Sequence, residues 1–145
     1  MTPTTTTTTR ARALIDLWLT NERVSVRIDH TLGAIHGLGY VEFMVLNQLA
    51  KSPAGRMRRV DLAYAIGRTA SGVTRLLKPM EKIGLVSRDD SHRDARVSLV
   101  ALTGNGRTRL DEAMTTMNDI GERILQPVGD AQLDSLIAAL RVLQG

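Results

Sequence analysis

Between Ala70 and Ile83 the side chains able to form hydrogen bonds recur on one face of a would-be helix. Ser71, Thr74, Arg75, Lys78 and Lys82 fall outward at helical spacing, with Glu81 the one acid nearby. Ala70, Val73, Leu76, Leu77, Met80 and Ile83 fall on the opposite, inward face. Three cations and two hydroxyls on one stripe suit phosphate oxygens, and an arginine there can fork onto a guanine edge in the major groove. A face that is merely solvated mixes charge signs more evenly. Further on, Asp90-Ser91-His92-Arg93-Asp94-Ala95-Arg96 carries two arginines in a polar loop, and arginine at a hairpin tip can enter a narrow minor groove. Thr69, Ser71, Gly72, Thr74, Arg75, Lys78, Arg93, Asp94 and Arg96 are the candidate residues for contacting double-stranded DNA.

These residues need elements to hold them. Residues 60–83 read as two helices joined by a tight turn at Gly67-Arg68-Thr69. Ala63 allows close helix crossing, Gly67 takes the left-handed turn, and Val73 and Leu76 fill the corner. An ordinary helical hairpin in a core shares much of this pattern. Pro79 removes a hydrogen bond to the Arg75 carbonyl, so a kink is expected there. Leu85–Arg88 and Arg96–Leu102 read as the two strands of a β-hairpin enclosing the arginine loop. A hairpin directly after such a helix makes a winged helix-turn-helix. The order and the chemistry together are stronger than either alone.

Upstream, Leu14, Leu17, Trp18, Val24, Ile28, Leu32 and Ile35 predict an amphipathic helix from Arg10 to about Ile35, about 40 Å long if continuous. Gly37 and Gly39 break it, and Tyr40–Ala50 forms a second helix with Phe43, Leu46 and Leu49 inward. Ser52-Pro53-Ala54-Gly55 is a loop. Downstream, Thr103 can cap a helix in which Leu110, Met114, Met117, Gly121 and Ile124 form a coiled-coil-like seam. Pro127 and Gly129 stop it, and Asp130 caps a last helix with Leu133, Leu136, Ile137, Leu140 and Leu143 on one side. The Thr-rich opening, residues 1–9, has nothing to bury and reads as a disordered tail.

Composition narrows the function classes. The 145-residue chain suits one domain with a core of its own. It has no cysteine, which excludes disulfide scaffolds, thiol catalysis and cysteine-ligated zinc. The formal charge of +4 is unevenly placed, with ten Lys/Arg against five Asp/Glu in residues 52–100 and four against six in residues 101–145. A basic centre suits a polyanion, although it also suits a solvated face. No apolar run approaches a membrane span and no charged-then-apolar leader opens the chain, so the expected compartment is the cytoplasm with no membrane partner.

Several stretches resemble the multiple-antibiotic-resistance regulator (MarR) family of bacterial transcription factors. They are Leu62-Ala63, Val73-Thr74-Arg75-Leu76, Glu81-Lys82-Ile83-Gly84-Leu85-Val86-Ser87-Arg88, the wing Asp94-Ala95-Arg96, and Leu102-Thr103 with Gly106. Residues 38–110 look like the family's core, and the flanking helices follow its order. Pro79 departs from the pattern, as does Gly39 where the family often has a capping Thr. The resemblance implies a mainly α fold with a small β-hairpin wing. A winged helix-turn-helix at about 54–102 lies between dimerisation helices at about 10–36 and 104–143, all within one domain spanning 10–145. It further implies a homodimer on a palindromic operator, a repressor role, and release by a small phenolic or anionic effector. It points to Arg96 as the wing's inserted side chain, whereas position alone points to Arg93. The missing cysteines argue against the family's thiol-based, peroxide-sensing branch.

Other chemistry finds little support. His30, His36 and His92 form no convincing metal set, and no phosphate loop, Ser-His-Asp group or carboxylate pair stands out, so neither an enzyme nor a cofactor is expected. Trp18, His36, Tyr40 and Phe43 are the candidates for an effector site. Core packing is the competing role for the three aromatics, and Trp18 also suits a dimer interface. The rival function is a winged-helix protein-interaction module without operator binding. That rival predicts a neutral or acidic outward stripe, against which Arg75, Lys78, Lys82, Arg93 and Arg96 argue.

Overall fold

The computed structural model describes residues 2, 4–89 and 98–145. Helix α1 runs from Thr9 to His36, with the Thr8 hydroxyl accepting from the Ala11 N–H at 3.1 Å. The expected tail is therefore shorter than read, because Thr8 and Thr9 belong to the helix start. Gly37, at φ 60°, ends α1 in the left-handed conformation. Helix α2 (Tyr40–Lys51) starts at Gly39, which has no side chain to cap it. Asp29 on α1 takes that role across the junction, its Oδ1 accepting from the Tyr40 N–H at 2.9 Å.

A 3-10 turn at Pro53–Gly55 leads into strand β1 (Arg56–Arg58), which the sequence pattern did not reveal. Then come α3 (Arg59–Ala65), α4 (Ala70–Lys82), β2 (Val86–Asp89), β3 (Leu99–Leu102), α5 (Gly104–Ile124) and α6 (Asp130–Gln144). The hairpin expectation thus becomes a three-stranded antiparallel sheet of order β1-β3-β2, with Arg56 opposite Ala101 and Val86 opposite Leu102. Three residues with an arginine at each end carry too little alternation to read as a strand. Pairing with β3 creates it. Asp130 is the first helical residue of α6 rather than its cap, which is Gly129, and the Gln132 side chain accepts from the Gly129 N–H at 3.2 Å.

The core lies around α2. Ile28 and Leu32 from α1, Phe43, Val45, Leu46 and Leu49 from α2, and Leu62, Val73, Leu77 and Met80 from α3 and α4 are all buried. Val100 closes it from the sheet, and Leu110, Ala113 and Ile120 close it from α5. The expected seam on α5 is thereby accounted for within the chain: Leu110 is buried, and Met114, Met117 and Ile124 pack against the same core. Unclaimed apolar surface lies elsewhere. On α1, Leu14, Ile15, Leu17, Trp18 and Ile35 are exposed, and α6 buries no residue while exposing Leu136, Ile137, Val142 and Leu143.

Among the glycines, the one with least room for a side chain joins α5 to the turn after α4. A Cβ placed on Gly106 would lie 2.0 Å from the Leu85 carbonyl oxygen, far inside contact distance. The neighbour is backbone and cannot swing away. Gly106→Ala should therefore destabilise the protein by about 2 kcal/mol or more, as overpacking against a rigid wall does. A urea titration of the two proteins measures the difference.

Candidate nucleic-acid interface

Helix α4 begins with a capped turn. The Thr69 hydroxyl accepts from the Gly72 N–H at 3.1 Å and lies 3.4 Å from the Ser71 hydroxyl. The turn before it uses Gly67 at φ 64°, a conformation that a side chain would strain. Behind the helix, Val73, Leu77 and Met80 are buried, spaced by four and three, and this fixes which side chains face solvent. Ser71, Arg75, Lys78 and Lys82 are exposed, as the sequence spacing predicted. Ala70 and Ile83, read as inward, are exposed because they sit at the helix ends, beyond the ridge that meets the core. Helix α4 continues through Pro79 without interruption. Pro79 is on the exposed side, where water can take the hydrogen bond that the Arg75 carbonyl loses.

Thr74 differs from its neighbours. Its hydroxyl donates to the Ala70 carbonyl at 3.1 Å and accepts from Arg59 Nη1 at 3.4 Å, so it turns toward the sheet and is half-buried. Arg93, Asp94 and Arg96 lie outside the described residues, as does His92.

Among the described residues no acidic side chain pairs with Arg75, Lys78 or Lys82. The arginines around β1 behave differently. Arg56 pairs with Asp89, Arg58 forks onto both oxygens of Asp61 at 2.8 and 3.0 Å, and Arg59 pairs with Glu81 at 3.0 Å. The hydrogen bond from Arg58 holds the Asp61 carboxyl below its usual range, and Asp61 in turn raises the Arg58 guanidinium. Charge is thus neutralised beside the stripe and left open upon it.

A groove of about 730 Å³ lies between α1, α2 and the turn after α3. Its walls include Glu22, Asp29 and His30 of α1, Tyr40 and Met44 of α2, and Ile66 and Arg68 of the turn after α3. Of the four effector candidates only Tyr40 lines it. Phe43 is sealed in the core at 2% exposure, and Trp18 stands on the bare end of α1. His36 is tied to α5: its Nε2 lies 2.7 Å from the Thr116 hydroxyl, and Arg109 donates to its carbonyl at 2.8 Å. Aromatic scarcity pointed to these residues, but it does not separate a lining side chain from a core one. Arg68 was missed, and its place in the turn beside a glycine was the available signal.

Residues 38–98, which run from just before α2 to the residue before β3, match the model of the MarR family. Over those residues the chain resembles the MarR family. Members of the family are transcription regulators, not enzymes. Over 86 residues the chain is 30% identical to the HTH-type transcriptional regulator PrsX of Escherichia coli, a match covering 59% of this chain and 51% of that protein. The match thus spans about half the relative's length. The whole fold resembles Sco3205 of Streptomyces coelicolor, a MarR family regulator solved in complex with DNA. The TM-score is 0.82 at 23% identity, over 97% of this chain and 89% of that one. It equally resembles BldR of Sulfolobus solfataricus, with a TM-score of 0.84 at 22% identity over 92% and 93% of the two chains. The mainly α, winged-helix fold read from the sequence is the fold found, with a third strand added. Among the described residues no helix is long and apolar enough to cross a membrane.

Thr69→Ala should lower stability by about 1 kcal/mol, the usual cost of losing an N-cap hydroxyl. The same change frees the first turn of α4, where Ser71 and Gly72 sit. Thermal unfolding followed by circular dichroism measures the first effect, and amide exchange at Gly72 measures the second.

Proposed function

We propose that this chain is a cytoplasmic, homodimeric, sequence-specific DNA-binding transcriptional regulator. It acts as a repressor on a near-palindromic operator and is released by a small phenolic or anionic ligand. The observation carrying this reading is the open stripe on α4: exposed Ser71, Arg75, Lys78 and Lys82, unpaired among the described residues, above a rigid apolar backing. A surface evolved only for solubility would pair or alternate its charges. The DNA complex of the similarly folded Sco3205 supports the same use. Thr69, Gly72 and Thr74 shape the start of the reading helix. Arg93, Asp94 and Arg96 supply the wing's share, with Asp94 holding one arginine in place.

The bare faces of α1 and α6 support the dimer. Leu14, Trp18, Val142 and Leu143 are each more than 60% exposed, and a second copy of the chain would cover such a pair of helices by two-fold symmetry. Two reading heads then meet half-sites about one helical turn apart. The groove between α1 and Arg68 suits a small aromatic acid, with Tyr40 and Met44 beside the ring and Arg68 near the acid.

Selection from a random duplex library should enrich a near-palindrome. Arg75→Ala should then cost about 1–3 kcal/mol and relax preference at particular base pairs. A uniform loss over all sequences would assign Arg75 to phosphate and pass base reading to Ser71 or Thr74. Sedimentation at micromolar concentration should show a dimer, and Trp18→Glu should shift it toward monomer. A folded wild-type monomer at that concentration overturns the dimer.

A further inference from the structure

Arg59 is the first residue of α3, and it faces both the sheet and the reading helix. Its backbone N–H donates to the Ser98 carbonyl at 3.1 Å, and its Nε donates to the Ser98 hydroxyl at 2.9 Å. Nη2 donates to Glu81 Oε1 at 3.0 Å, and Nη1 reaches the Thr74 hydroxyl at 3.4 Å. All three nitrogens of one guanidinium are engaged, on residues drawn from two separate parts of the chain. Thr74 and Glu81 are seven residues apart, two turns along one face of α4. Ser98 immediately precedes β3.

The Arg59 side chain is only 13% exposed and that of Glu81 only 29%. An ion pair so enclosed loses much of its attraction to desolvation, so stability is a weak reason for it. Geometry is the stronger one. A planar fork fixes direction as well as distance, which an ammonium does not. The C-terminal end of α4 is separately held where the Thr103 hydroxyl lies 2.6 Å from the Gly84 carbonyl and 3.0 Å from that of Leu85. With Arg59 bridging the flank of α4 to Ser98, the helix is held at two places, an arrangement that opposes roll about its axis.

We propose that Arg59 is a positioning residue for DNA reading. It sets the roll of α4 relative to the sheet, and so decides which outward side chains meet base edges. The inference rests on the DNA-binding reading of α4 and goes beyond it, because Arg59 itself touches no DNA in this role.

The test uses the full-length protein and the best duplex selected by the wild type, with a mixed-sequence duplex of equal length beside it. Arg59→Lys keeps the charge and loses the fork. Its affinity for the selected duplex should fall about tenfold, a loss of specificity of the size one mismatched base pair causes. Its affinity for the mixed duplex and its salt slope should stay within about twofold, since phosphate attraction is unchanged. Without DNA, exchange of the backbone amide at position 59, which donates to the Ser98 carbonyl, should quicken in this variant. Wild-type affinity for the selected duplex in the lysine variant would overturn the proposal and leave Arg59 a plain cation. A parallel loss on both duplexes, tracking a lower melting temperature, would also overturn it. Should the lysine variant not fold, Arg59→Met with Glu81→Met removes both charges together. That folded pair must show the same loss of discrimination, and full discrimination would sink the idea. A wild type that enriches no duplex refutes the DNA-binding reading itself, an outcome distinct from selected binding that ignores Arg59.

Discussion

One backbone carbonyl, that of Leu85, ties the reading head to the long helices. It accepts from the Thr103 N–H at 3.2 Å and from the Thr103 hydroxyl at 3.0 Å, while Gly106 presses against it with no room for a side chain. Thr103 also caps α5, accepting from the Gly106 N–H at 3.0 Å. One hydroxyl thus ends the sheet, begins the helix and holds the turn after α4. The consequence is mechanical. Helix α5 packs along α1 and α2, so the direction in which it leaves the sheet sets how the helix-turn-helix sits on the long helices. A displacement at this junction would be magnified along the 21 residues of α5.

The apolar surface is divided to match. Around α2 the chain satisfies itself, and even the ridge on α5 is spent inside the core. At the start of α1 and along α6 it does not, and large side chains face solvent. Leaving so much apolar area in water is costly at about 25 cal/mol per Å², and the proposed dimer would cover it. The groove bordered by Arg68 lies where these two regimes meet. A ligand wedged there would press on the helix-turn-helix from the α1 side, so the proposed release and the proposed dimer use the same helix.

Much of this was legible in the residues, and the parts that were not share a cause. Periodicity places an apolar stripe but does not name its partner. Leu110, Met114 and Met117 therefore read as a seam between copies, yet they pack within the chain, whereas Leu14 and Trp18 were grouped with Ile28 and Leu32 in one stripe that the structure splits. The outward face of α4 was readable because burial of Val73, Leu77 and Met80 leaves one choice for the rest. Strand β1 and the roles of Asp29 and Arg59 were not. Each depends on a contact across 11 or more residues, Asp29 to Tyr40 and Arg59 to Ser98, and no local spacing encodes such a contact.

The Thr74 side chain shows why those distant contacts matter for the site. By spacing it belongs to the outward stripe beside Arg75. In the fold its hydroxyl is occupied by the Ala70 carbonyl and Arg59, which turns it from a free donor into part of the support. A reading helix needs both kinds of residue. Flexible side chains such as Arg75 and Lys78 can adapt to bases and phosphates only if the backbone beneath them does not move, because a roll of even a few degrees shifts their tips by a large fraction of a hydrogen-bond length. Affinity can survive such slack, since phosphate attraction is diffuse, but discrimination between bases cannot. In the proposed function, the paired arginines beside the stripe and the open cations upon it are therefore two halves of one device, the first holding the frame still while the second reads.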